Sequence, residues 1–198
     1  LINNDNNIFL FARPGYFIRE RGSSEEDRYS SGPRDAIKST IVNYDWKNFQ
    51  ILAPALQNLK KYYKPKKLIL IGHSGGAYQG GTIHGKVPGL VDINILISCP
   101  CDWEIRKKLS NGKKWETKSQ LKELKKNSPS FNYKDIDLKS LNILIVGKDD
   151  KNTAPGVSEY YYDLLKKKKL QVKLHIIDGG HGLRSMPSIG SIIKEYIN

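Results

Sequence analysis

Lys67-Leu68-Ile69-Leu70-Ile71-Gly72-His73-Ser74-Gly75-Gly76 decides how the rest of the chain is read. Four apolar, mostly β-branched or long aliphatic residues form the pattern of a short buried strand. Gly-x-Ser-x-Gly follows at once, and helix-length sequence lies beyond it. A serine between strand and helix sits on a sharp turn that holds its hydroxyl clear of the sheet, where it can act as a nucleophile. The spacing predicts that a Cβ at 72 or 76 would collide with the neighbouring strand and helix. A glycine-rich turn with a satisfied serine is the plainer reading of those five residues alone, so the weight rests on the strand that precedes them.

Downstream, the pattern repeats. Asp92–Ser98 holds Ile-Asn-Ile-Leu-Ile, Leu141–Val146 is a further buried run, and Val172–Ile177 another. Between them, helices are predicted from about Gly75 to His84 and from Pro155 to Lys168, the latter with Tyr161, Leu164 and Leu165 inward. A last helix is expected from about Ile189 to Tyr196. Strands alternating with helices, with no hairpin signals, specify an α/β fold: a mostly parallel sheet with helices on both faces. Upstream, Asn7–Ala12 reads as another buried strand, running into Arg13-Pro14-Gly15-Tyr16. A loop of roughly 17 to 45 is long enough to suggest a functional role near a site. From Trp46 to Tyr63, Phe49, Leu52, Leu56 and Leu59 fall at helical spacing, and Pro65 marks the stop. The polar stretch 102–139, with short helices at Trp103–Leu109 and Lys118–Lys126, reads as a small lid-like segment of a single domain spanning 1–198.

A serine hydroxyl needs a base within hydrogen-bond reach, and the base needs an acid to hold its tautomer. Ligands of parallel sheets bind at the carboxyl ends of the strands, and those ends carry Ser74, then Asp149 and Asp150, then His181. Asp102, after the Asp92–Ser98 strand, is an alternative acid, and Asp178 reads as a turn former. Of the other histidines, His73 lies inside the serine turn, His84 on the following helix and His175 within a strand. Gly80-Gly81-Thr82-Ile83-His84-Gly85-Lys86 mimics a phosphate-binding loop, but Val87 replaces the required Ser/Thr and no strand leads into it.

The 33 Lys and Arg against 20 Asp and Glu leave a net charge of +13. A polyanion binder is one reading of that charge. The basic residues are mostly lysine pairs without interleaved aromatics, however, and Lys166-Lys167-Lys168-Lys169 falls where a helix should end, a place that favours cations. A solvated basic surface with no specific nucleic-acid site is therefore expected. Cys99 and Cys101 are expected to be reduced, since neighbours at i, i+2 rarely reach disulfide geometry. No apolar run approaches transmembrane length and nothing at the start resembles a signal peptide. These absences do not assign a location, and the cytoplasm is only slightly favoured as the expectation. The oligomeric state has no signature in the sequence.

Taken together, Arg13-Pro14-Gly15-Tyr16, Gly72-His73-Ser74-Gly75-Gly76, Pro88-Gly89-Leu90-Val91, Ser98-Cys99-Pro100-Cys101-Asp102, Gly147-x-x-Asp150 and Gly180-His181-Gly182 resemble the α/β-hydrolase-fold serine hydrolases of the prolyl-oligopeptidase-like kind. The resemblance implies a serine hydrolase, esterase or peptidase, that cleaves an ester or amide bond of a small molecule or peptide. It implies Ser74 as nucleophile, His181 as base, Asp150 rather than Asp149 as acid, the Gly75 N–H as an oxyanion donor, and no metal or organic cofactor. In such proteins a strand ending in a His-Gly loop precedes the Arg-Pro-Gly strand and supplies the second oxyanion donor. None precedes Arg13 here. The first strands are therefore expected to be lacking, with the Arg13–Tyr16 turn as a stand-in or with a weakly active or inert binding protein as the alternative. A lid this short implies modest, accessible substrates.

Overall fold

The computed structural model describes residues 7–11, 17–18, 29–30, 44–109, 118–183 and 186–197. Two short strands, β1 (Phe17–Ile18) and β2 (Tyr29–Ser30), pair antiparallel. The main sheet has four parallel strands in sequence order: β3 (Ile69–His73), β4 (Ile93–Ile97), β5 (Leu141–Gly147) and β6 (Gln171–Ile177). Ile69, Ile93, Leu141 and Gln171 stand in register across it. Parallel strands cannot be joined by hairpins, so helices carry the chain back. Those helices are α3 (Gly75–Lys86) between β3 and β4, and α7 (Pro155–Lys167) between β5 and β6.

Alternation along each strand separates two apolar faces. Leu96, Leu144 and Val172 pack with Ala77 of α3 and with Tyr161 and Leu165 of α7. Ile93, Ile95, Ile97, Ile143 and Ile145 face the other way, against Leu183, Ile189 and α8 (Pro187–Ile197). Helices thus lie on both faces of the sheet, as the strand patterns predict.

Between β4 and β5 lie α4 (Trp103–Leu109), α5 (Lys118–Lys126) and α6 (Pro129–Asn132). This stretch is anchored to α3: Tyr78 donates its hydroxyl to the Leu124 carbonyl (2.8 Å) and Thr82 donates to that of Asn127 (2.6 Å). Trp103 and Leu124 are buried.

Four expectations need correction. The predicted helix over Trp46–Tyr63 is two helices, α1 (Trp46–Phe49) and α2 (Leu52–Tyr63). Pro54 has no N–H for the Gln50 carbonyl, and its ring crowds that carbonyl, so the chain restarts with Pro54 in the first turn of α2. Asn7–Phe11 is not a buried strand: it has no strand geometry and Ile8 to Phe11 are exposed, with Phe9 leaning on the Tyr63 ring (5.2 Å between centroids). Among the described residues β3 hydrogen-bonds to β4 alone, so the apolar run does not extend the sheet along the edge of β3. Ala12 and the Arg13–Tyr16 turn lie outside the described residues.

Cys99 and Cys101 are not reduced; they form a disulfide. The backbone turn after β4, with Ser98 at φ 48°, brings their Cα atoms to 5.1 Å, inside the range that a disulfide requires. Finally, the two glycines of the serine turn are not equivalent. A Cβ on Gly72 would sit 2.5 Å from the Gly76 carbonyl carbon and oxygen, whereas one on Gly76 would meet nothing within 4 Å.

Candidate active site

Each of the three residues singled out for catalysis follows a parallel strand, so the sheet register brings them to one edge. Ser74 follows β3. Its N–H still continues the ladder, donating to the Ile97 carbonyl at 2.8 Å, while its own backbone turns to φ 53°, ψ −118°. That region costs a residue with a Cβ about 1–3 kcal/mol, and such strain persists where the surroundings over-determine it. Here the missing Cβ of Gly72 lets the first turn of α3 press onto β3, which forces the tight reversal.

Asp150 lies in the loop after β5 and is buried. Its Oδ1 accepts from the N–H groups of Asn152 (2.9 Å) and Thr153 (2.8 Å), and its Oδ2 from the Thr153 hydroxyl (2.7 Å). The remaining approach is filled by His181 Nδ1, 2.9 Å from Oδ2 and 3.2 Å from Oδ1. Burial alone would push this carboxyl up. The His181 ring and the Thr153 N–H and hydroxyl outweigh it and hold the group well below the usual carboxylate range.

His181 follows β6. A carboxylate can only accept, so Nδ1 carries the proton, and Nε2 is left as the acceptor for the Ser74 hydroxyl at 3.0 Å. Hydroxyl, imidazole and carboxylate form one unbroken chain across the ends of β3, β6 and β5.

Asp149 is exposed, and its backbone N–H donates to the Gly179 carbonyl, so it is Asp150 that meets the histidine. Asp102 is engaged elsewhere: Oδ1 caps α4 by accepting the Ile105 N–H (2.9 Å), and Oδ2 accepts the Ser130 hydroxyl (2.6 Å). Asp178 pairs with Lys148 at the surface. His84 is buried in α3 near Ser140, with its imidazole pushed down to about 4 by burial against the opposing pull of Asp137 and Asp92. His175 meets the Tyr196 hydroxyl at 2.9 Å. Residues 80–86 are interior to α3, where backbone N–H groups are already spent on the helix, so no phosphate cradle exists there. The Gly75 N–H is the first of α3 and has no intrahelical acceptor, and the helix dipole places partial positive charge beside Ser74.

Two residues of the site carry no local signature. Asn152 places Nδ2 3.1 Å from His181 Nε2, while its Oδ1 accepts from Arg106 Nη2 (2.6 Å) and its carbonyl from Arg106 Nε (3.1 Å). The guanidinium fixes the amide with its oxygen outward, so its N–H shares the imidazole lone pair with Ser74. Its position two residues after Asp150 was the only available hint. His73 places Nε2 2.8 Å from the His181 carbonyl. Among the described residues no group of three or more His, Cys, Asp or Glu side chains gathers as a metal-ligand set, and no helix is long and apolar enough to cross a membrane.

Parallel strands in sequence order, helices on both faces and a serine on the turn after a strand define the class, an α/β-hydrolase-fold domain. Within it, the chain belongs to the prolyl oligopeptidase family, whose model matches residues 5–195. No curated protein sequence matches the chain. Among solved structures it is similar to an acylaminoacyl peptidase in complex with Z-Gly-Gly-Phe-chloromethyl ketone, at 20% identity and a TM-score of 0.63, over 75% of this chain and 26% of that one. It is similar to prolyl oligopeptidase B from Galerina marginata bound to a 35mer hydrolysis and macrocyclization substrate, at 16% identity and a TM-score of 0.59, over 74% and 23%. A protein of unknown function from Agrobacterium tumefaciens aligns at 14% identity and a TM-score of 0.53, over 79% and 65%. The chain thus spans about a quarter of the length of the peptidases it resembles, and at these identities the likeness concerns the fold.

Proposed function

We propose that this chain carries the catalytic site of a serine hydrolase that cleaves an amide or ester bond through an acyl-enzyme, with Ser74 as nucleophile, His181 as base and Asp150 as acid. The observation that carries the reading is the hydrogen-bonded chain from Ser74 Oγ through both ring nitrogens of His181 to Asp150, with its tautomer set by the carboxylate. As Oγ forms its bond to the substrate carbonyl carbon, its proton passes to Nε2, and Asp150 stabilises the imidazolium. The carbonyl oxygen takes up negative charge beside the Gly75 N–H at the head of α3. Collapse of that intermediate breaks the bond to the leaving amine or alcohol, which receives the proton from Nε2. Water then repeats the sequence to release the acid. Membership of a peptidase family favours peptides as substrates, and the anchored α4–α6 segment favours modest, accessible ones. Neither a metal nor an organic cofactor enters this scheme.

The test is fluorophosphonate labelling of the folded chain. Labelling is expected for the wild type, is lost in Ser74→Ala, and is slowed strongly in His181→Ala. Asp150→Asn, which permits the wrong tautomer, should slow it severely as well; in a Ser-His-Asp triad this change costs about 10⁴ in kcat. A folded wild type that takes no label overturns active hydrolysis by this chain.

A further inference from the structure

We propose that His73 is a positioning residue, which holds the backbone of His181 at the height the serine requires. The proposal deepens the hydrolase reading and rests on it.

Alternation along β3 puts Ile69, Ile71 and His73 on one face, the face over which the β6–α8 connection passes. From there His73 Nε2 reaches the His181 carbonyl at 2.8 Å, and the two imidazoles lie 5.1 Å apart at 52°. A carbonyl can only accept, so this nitrogen carries the proton and donates it. The next residue along the chain is Ser74, whose hydroxyl lies 3.0 Å from Nε2 of the same His181. Two consecutive residues of one segment therefore hold opposite ends of one histidine, its carbonyl and its reactive nitrogen.

That grip answers a specific weakness. Gly179-Gly180-His181-Gly182 surrounds the base with glycines, which restrain the backbone least, and Gly179 adopts φ +122°. The loop is tied on one side by the Asp149 N–H to the Gly179 carbonyl (3.0 Å) and on the other by Leu183, which is fully buried. Between those anchors Asp150, Thr153 and Asn152 hold the imidazole ring from the β5 side. His73 holds the main chain from the β3 side. A misplacement on the order of 1 Å between nucleophile and base can cost about 10²-fold in rate, so a bond that locks the two strands' loops together bears directly on the acylation step.

The bond asks for a donor at the distance of Nε2. Gln matches that reach, Asn falls short, and Leu removes the donor. The 198-residue chain and its His73→Leu, His73→Gln and His73→Asn variants are compared by fluorophosphonate labelling over a range of probe concentrations, alongside thermal unfolding. His73→Leu and His73→Asn should lose roughly ten- to a hundredfold in maximal labelling rate with the half-saturating concentration unchanged, and His73→Gln should stay within about threefold of wild type. If His73→Leu does not fold, the Gln and Asn pair decides alone. Wild-type labelling in His73→Asn, or Gln as slow as Asn, overturns the proposal. If the wild type itself takes no label, the hydrolase reading falls, and the contact is read by ¹⁵N spectra of the imidazoles instead. A His73 ring protonated at Nε2, with His181 ring signals displaced in His73→Asn and retained in His73→Gln, supports the positioning role. His181 signals indifferent to all three variants overturn it.

Discussion

Asp150 keeps its charge because its hydrogen bonds outnumber what burial takes away. Three donors from Asn152 and Thr153 and the N–H of His181 converge on a carboxylate that is only 2% exposed. Every one of them favours the ionised form, so the folded-state value is depressed. A depressed carboxyl contributes stability that is fully present above the ordinary value of about 3.9 and is lost as pH falls toward the folded value. Asp150→Asn should therefore unfold at a lower temperature than wild type at pH 7, and the gap should narrow as pH is taken below about 4. Thermal unfolding of both proteins at pH 7, 5 and 3 measures this, and a gap that is constant with pH would mean that the network does not prefer the anion. The same depression keeps Asp150 charged through the neutral range, where an orienting partner for His181 is needed.

The elements were legible wherever a local pattern implied its own partner. Buried runs with helical sequence between them placed β3 to β6, α3 and α7, and the strand ends then put Ser74, Asp150 and His181 on one edge. Local pattern failed where the outcome depended on distant chain. Ile8-Phe9-Leu10-Phe11 has the composition of a buried strand, but its local pattern does not say whether it joins the sheet. Cys99 and Cys101 join because of the turn that Ser98 makes after β4, and no spacing rule announces that turn. His73 and Asn152 owe their contacts with His181 to a fold that brings residues 108 and 29 positions apart together. The glycines of the serine turn look identical in sequence and differ in space, which makes them a sharp test of the element boundary. Gly72→Ala drives a methyl into the backbone of α3 and should cost at least about 1–3 kcal/mol. Gly76→Ala meets open space inside a helix and should be neutral or stabilising, by up to about 1 kcal/mol. Urea denaturation of both variants decides; equal losses would show that α3 does not lie against β3 as described.

At the scale of the whole fold, charge and apolar cover are both unevenly placed among the described residues. The strands' carboxyl ends carry the site, while Lys66 and Lys67 precede β3, Lys139 precedes β5, and Lys166 to Lys169 run from the last turn of α7 into the connection to β6. These lysines stand at the opposite edge, where helix C-termini favour cations, and Lys168 there donates to the Lys134 and Ile136 carbonyls. Apolar cover is uneven on the α8 face. Ile145 in β5 is fully buried under Leu183 and α8, yet Ile71 in β3, on the same face of the sheet, is 47% exposed. If α8 closes the face over β4 and β5 but leaves β3 open, two chemically identical truncations must differ. Ile145→Ala removes packed atoms and leaves a cavity, at a cost of about 2–5 kcal/mol. Ile71→Ala removes atoms already half in water and should cost under about 1 kcal/mol. Both are read from urea midpoints at equal slope, which keeps the comparison on stability. A loss at Ile71 as large as that at Ile145 would mean that β3 is covered in solution, and that the edge carrying Ser74 is enclosed rather than open.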